Sequence, residues 1–135
     1  MKILVIDGQG GGIGRAIVER ASKVLPEATL IALGTNALAT AAMLRAGAHQ
    51  GATGENAIRA QCRTADVIAG PIGIVLANAL LGEVSAEIAR AVADSPAQKL
   101  LIPSERCNIH VAGTRRQTLD EAIAEILDIM REMIQ

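Results

Sequence analysis

The stretch VIDGQGGGIGRAIVER, Val5 to Arg20, gathers five glycines into seven residues, directly after a hydrophobic run and directly before helical spacing. Glycine serves a backbone that must turn with positive φ, or one that another group presses against where a Cβ would clash. The run before it, KILVID at Lys2–Asp7, is apolar without alternation, as in a central parallel strand covered on both faces. After the glycines, Ile13, Ala16, Ile17, Ala21 and Val24 recur at helical spacing over Gly12 to Val24, and Pro26 stops the helix. Strand, glycine turn and helix in that order form the opening unit of an α/β fold.

The same rhythm continues along the chain. ATLIALG at Ala28–Gly34 predicts a second strand, and Asn36 to Ala46 a second helix, with Thr35 as its N-cap and Gly47 just past its end. A short strand is expected near Gln50–Thr53, a helix over Glu55 to Arg63, and a strong strand at Asp66–Gly70. Pro71 is placed to open a helix running to Leu81 that is apolar on every side and must be buried. Ser85 caps a helix to Ala93, and Lys99–Pro103 and Asn108–Gly113 read as the last strands. Thr118 with Glu121 makes a capping box for a closing helix whose apolar face carries Leu119, Ile123, Ile126, Met130 and Met133. The pattern predicts one Rossmann-like domain over 1–135, a three-layer, mostly parallel, doubly wound α/β sheet of about five to six strands.

The bulk composition narrows the function classes. Half of the 135 residues are hydrophobic and the formal net charge is −1, so no basic field awaits nucleic acid. The most apolar segment, Gly70 to Gly82, falls short of the roughly 20 residues a membrane span needs, and Met1–Asp7 lacks the parts of a signal peptide. Two widely spaced cysteines, Cys62 and Cys107, fit reduced thiols, and a cytoplasmic location is expected. Phe, Tyr and Trp are absent, so Ile, Leu, Val, Met and Ala must fill the core, and close-packed alanine-rich faces favour a homo-oligomer.

Gly8, Gly12 and Gly14 give G-x-x-x-G-x-G between strand and helix, the context of a dinucleotide-binding turn, with free N–H groups and a positive dipole end for a phosphate. This loop resembles the cofactor loop of the short-chain dehydrogenases, down to GIGRAI at Gly12–Ile17. Their chemistry, which the resemblance would assign to a Tyr and a Lys, is excluded because the chain has no Tyr. An NAD site also carries an acidic residue about 20 positions on to hold the ribose, whereas here the second strand ends in Thr35 and Asn36. Asp7 would repel a diphosphate unless a metal ion, water or loop N–H neutralises it, and it could equally cap the turn. The expected cofactor is NAD(P) or another adenine nucleotide, on Asp7, Gly8, Gln9, Gly10, Gly11, Gly12, Ile13 and Gly14 of the loop, with Thr35, Asn36, Gly70, Pro71 and Gly73 completing the crevice. The alternative is that the glycines only pack helix on sheet and the polar residues only cap turns.

Other residues carry competing readings. Cys107 and His110 stand three apart, and a nearby cation would activate that thiol. With Glu55 they support the alternative of a small enzyme acting on a phosphorylated metabolite. A zinc site would need Cys62 and His49 to converge on the same pair, and no metal is expected. A third reading is a structural, oligomer-forming partner subunit. Taken together, DGQGGGIG, GTNALAT, AMLRAGA, ATGENA, ADVIAGPIGI and LIPSERCNIHVAG resemble one domain-of-unknown-function family of small bacterial proteins, over nearly the whole chain. That resemblance implies no activity, but it implies that these loops belong together. The leading expectation is a nucleotide- or dinucleotide-binding sensor or accessory subunit taking a small phosphate-bearing ligand.

Overall fold

The computed structural model describes residues 1–104 and 108–135. Five parallel strands, β1 Lys2–Asp7, β2 Thr29–Gly34, β3 Gln50–Thr53, β4 Val67–Pro71 and β5 Gln98–Ile102, form one sheet in the order β3-β2-β1-β4-β5. The intervening helices are α1 Gly12–Val24, α2 Ala37–Arg45, α3 Glu55–Cys62 and α4 Ala86–Asp94, and α5 Leu119–Ile134 closes the chain. Parallel neighbours require crossovers, and the chain winds outward from β1 to β3 before returning to lay β4 on the other side of β1. The strand order therefore reverses between β1 and β4, and their carboxyl ends open a crevice there.

Alternate residues of β1 feed two cores. Ile3 and Val5 pack with Ile17, Val18 and Ala21 of α1, Met43 of α2, and Ile123, Ile126 and Met130 of α5. Leu4 and Ile6 point the other way, to Ile58 of α3 and to Ile88 and Val92 of α4. The three-layer, doubly wound architecture follows from that alternation, and aliphatic side chains fill both layers without a single ring. The outermost residues of two predicted helical faces turn outward: Val24, Leu119 and Met133 are exposed, while Val18 and Leu127 are buried. Among the described residues no helix is long and apolar enough to cross a membrane.

Four readings of the sequence need correction. Pro71 ends β4 and opens no long helix; a single 3-10 turn, Ile72–Val75, follows, and then hydrogen-bonded turns to Val84. Apolarity on every side suits a buried helix and a folded-back loop equally, and here Asn78, Leu80, Leu81 and Gly82 take positive φ, which no α-helix accommodates. That segment is not uniformly buried either, since Leu81 is 95% exposed. The N-cap of α2 is Asn36, whose Oδ1 accepts from Ala39 N at 2.9 Å, while Thr35 points to another partner. Asn108–Gly113 forms no strand but an exposed, irregular segment, and β5 remains the sheet edge.

Gly70 is where β4 comes closest to β1, for a Cβ added there would collide with the carbonyl oxygen of Ile6. Neither strand can retreat, because both are buried and each is paired on both edges. Gly70→Ala is expected to cost about 3 kcal/mol of stability, read as a lowered urea midpoint by far-ultraviolet circular dichroism. A midpoint within error of wild type would show that the two strands have room to part.

Candidate functional site

The glycine loop closes on a carboxylate. Asp7 is the last residue of β1 and is 5% exposed; its Oδ1 accepts from Gly8 N at 2.7 Å and its Oδ2 from Gly14 N at 2.7 Å. One side chain thus spans the turn and takes one of the free N–H groups at the start of α1, in the place an external anion would otherwise fill. Gly11 supplies the left-handed residue before the helix, with φ +73°, and a Cβ on it would stand 2.9 Å from the Ala39 Cα of α2. Gly8 and Gly14 are also packing glycines: side chains of Thr35, Leu80 and Glu83 crowd the first, and Met43 and Asp7 crowd the second. Gly10 and Gly12 differ, for nothing lies within 4 Å of an added Cβ at either position. These two glycines have no packing reason, and their backbone faces open space.

That space is a cleft of about 900 Å³. Its floor is Asp7 to Ile13, its far walls are Pro71 at the end of β4 and Ile102 at the end of β5, and its rim carries Arg15 of α1 and His110, Arg115 and Arg116 of the segment leading into α5. It lies over the carboxyl ends of β1, β4 and β5, the topological switch of the sheet. Among the described residues, neither Arg115 nor Arg116 pairs with a carboxylate, while Arg15 meets Glu19 at 3.5 Å on the exposed face of α1. Among the described residues the one carboxylate in the lining, Asp7, is already held by backbone N–H groups. Burial raises the Asp7 pKa above its ordinary 3.8; the N–H groups of Gly14 and Gly8 pull it back in part, and the nearby Glu83 charge adds to the rise.

Beside the cleft, the β2 end of the crevice is filled by the protein itself. Glu83, from the loop between β4 and α4, reaches the glycine loop, and its Oε1 accepts from Gln9 N at 2.9 Å, Thr35 Oγ1 at 2.7 Å and Asn36 Nδ2 at 2.8 Å. Asn36 Nδ2 also donates to the Gln9 carbonyl at 2.9 Å, so the positive-φ residue Gln9 is clamped through both its backbone groups. These donors, first Gln9 N and then the Thr35 hydroxyl, hold the Glu83 pKa below its ordinary 4.5. Leu80 lies on the same loop at φ +56°, a conformation unfavourable for a bulky side chain, and its Cδ1 covers Gly8.

Of the residues expected from sequence, Asp7, Gly8, Gln9, Gly10, Gly11, Gly12, Ile13 and Pro71 line the cleft. Gly14 is buried beneath Asp7, Thr35 and Asn36 are engaged with Glu83, Gly70 lies against β1, and Gly73 is buried in the 3-10 turn, so none of these five lines it. Glu55 accepts from Ser85 Oγ between α3 and α4 and is not part of the lining. His110 lines the cleft, whereas Cys107 and Arg106 lie outside the described residues. Cys62 is buried in the second core, where desolvation pushes its thiol up to about 11 despite the opposing charge of Lys99, and His49 Nδ1 accepts from Leu30 N. Sequence reasoning missed Arg15, Arg115, Arg116 and Glu83. The TRR triplet directly ahead of a capping box was a usable signal; Glu83, 74 residues from its Gln9 partner, had none.

The chain belongs to the family described as Domain of unknown function (DUF3842), which matches residues 2–135. No curated protein matches the sequence. Among solved structures it is similar to a dodecameric FMN-dependent UbiX-like decarboxylase from Escherichia coli O157:H7, with 13% identity over 99% of this chain and 94% of that one and a TM-score of 0.56. A universal stress protein in complex with cAMP aligns with 74% of this chain and 95% of its own, at 22% identity and a TM-score of 0.43. The first likeness is one of fold.

The two acids at the site act oppositely on stability. Asp7, with a raised folded pKa, contributes stability that is fully present below 3.8 and lost as pH rises through its folded value. Glu83, with a lowered one, contributes stability that is present above 4.5 and lost as pH falls through its folded value. Glu83→Gln removes the second contribution and, of the first, only the lesser part that the Glu83 charge adds to the rise at Asp7. Its urea midpoint should lie below that of wild type at neutral pH, and the gap should close on acidification below 4.5; a gap constant with pH would contradict the assignment.

Proposed function

We propose that this protein binds a phosphate-bearing nucleotide in the cleft between the glycine loop and the segment 108–118, as a sensor or accessory subunit. The observation that carries this reading is the presence on one cleft of two packing-free glycines, Gly10 and Gly12, and of the guanidinium groups of Arg115 and Arg116, which pair with no carboxylate among the described residues. Backbone N–H groups at a helix start and arginine forks are the two devices proteins use for phosphate, and here they line one cavity. A volume of about 900 Å³ is in the range that encloses a nucleotide, and the apolar lining from Ile13, Pro71, Ile102 and Val111 suits a flat base. The FMN dependence of the structural neighbour agrees with a ligand of this class on this fold, and its dodecameric state agrees with self-association of this chain. Apolar side chains exposed on α2 and α5, Leu38 and Ile129 among them, offer surface for such association.

Because the chain has neither Trp nor Tyr, the near-ultraviolet window is almost dark, and a retained adenine or flavin would dominate the spectrum of the purified protein. Titration calorimetry with AMP and with FMN tests binding directly. Gly12→Val places a side chain in open space, so the fold should survive while affinity falls at least about tenfold. Arg115→Ala and Arg116→Ala should each weaken binding by about tenfold, the loss of one charge-assisted contact. Unchanged affinity in all three variants would remove the cleft from the binding site.

A further inference from the structure

Resting on that reading, we infer that Glu83 and Leu80 close the β2 half of the crevice and so restrict the site to a mononucleotide. In an open doubly wound sheet, a dinucleotide spans the switch point and sets one ribose against an acidic residue at the end of the second strand. Here the side chains at the end of β2 are Thr35 and Asn36, neither of them acidic, and their donors are spent within the protein. Thr35 and Asn36 spend their side-chain donors on Glu83, and the remaining Asn36 oxygen caps α2. The Cβ side of Gly8, the first glycine of the motif, is taken as well, though its backbone borders the cleft: a Cβ there would lie 2.9 Å from Leu80 Cδ1 and 3.0 Å from Glu83 Oε1. The cleft itself contains no residue of β2 or β3 and opens only over β1, β4 and β5. A ligand with its phosphate at Gly10 and Gly12 extends its nucleoside toward Pro71 and Ile102 or along the segment 109–119, and not toward β2.

The closure is held against a conformational preference. Leu80 and Leu81 both sit in the left-handed region, at φ +56° and +58°, where a branched side chain crowds its own backbone. Three hydrogen bonds to one Glu83 oxygen tether this loop to Gln9, Thr35 and Asn36. Removing that tether lets the loop relax outward and frees the crevice over Gly8. Gln at position 83 keeps an acceptor oxygen and the same length, so it should keep the closure, whereas Ala should not.

The test measures the affinities of AMP, FMN, NAD and FAD for wild type, Glu83→Gln, Glu83→Ala and Leu80→Gly by calorimetry, with circular dichroism confirming the fold of each. Leu80→Gly uncovers Gly8 while suiting the positive φ, so it remains informative even if Glu83→Ala unfolds the loop. Expected are AMP or FMN binding to wild type with NAD and FAD at least tenfold weaker, the same ratio in Glu83→Gln, and a ratio reduced severalfold or more in Glu83→Ala and Leu80→Gly. If wild type takes a dinucleotide as tightly as a mononucleotide, or the ratio is unmoved in both opening variants, the inference is overturned while the cleft stands as a nucleotide site. If wild type binds none of the four, the nucleotide reading fails and this inference fails with it.

Discussion

The Asp7 carboxylate is the interaction on which the site depends. A parallel strand must hand over to a helix within a few residues, and the helix begins with N–H groups that have no partner in its own ladder. Asp7 answers one of them, at Gly14, and ties the same turn down at Gly8. Its negative charge sits at the positive end of α1, a favourable arrangement that offsets part of the cost of burying it. The loop consequently takes its shape from the protein's own groups. The stretch that Asp7 does not engage carries Gly10 and Gly12, which face open space.

A second carboxylate partitions what the first one builds. Glu83 approaches from the loop after β4, ties the glycine loop to the end of β2, and turns a crevice shared by two strand ends into a one-sided cleft. The two acids feel each other, since the Glu83 charge adds to the rise in the Asp7 pKa, yet each is surrounded by donors and tolerates its neighbour. The outcome is a region of N–H groups and arginines in which the lining carboxylate Asp7 is already occupied.

Sequence reading recovered the parts of this molecule that rest on local regularity. KILVID and DVIAG announce buried strands by unbroken apolarity, and T-L-D-E announces α5 by the chemistry of its cap, which the structure shows in full at Thr118 and Glu121. Where local pattern is ambiguous the reading failed. Pro71 to Leu81 is apolar like a core helix, but positive φ at Asn78, Leu80, Leu81 and Gly82 turns it back, a conformation that Asn and Gly take readily and that the two leucines give no sign of in the sequence. Asn108–Gly113 alternates like a strand but gains no place in the sheet, which ends at β5. At the site, the glycines were legible because they are contiguous. Glu83 was not, because its role is defined entirely by partners on two other loops.

The capping box of α5 has an effect beyond the helix it begins. Thr118 and Glu121 exchange hydrogen bonds at 3.1 Å each, and Arg20 of α1 donates to the Asp120 carbonyl at 2.9 Å, so the start of α5 is pinned to the helix that carries the glycine loop. Arg115 and Arg116 stand just ahead of that pin. They stand within three residues of Thr118 and line the same cleft as the glycine loop. The contact that fixes the start of α5 on α1 therefore also sets where two positive charges enter that cleft.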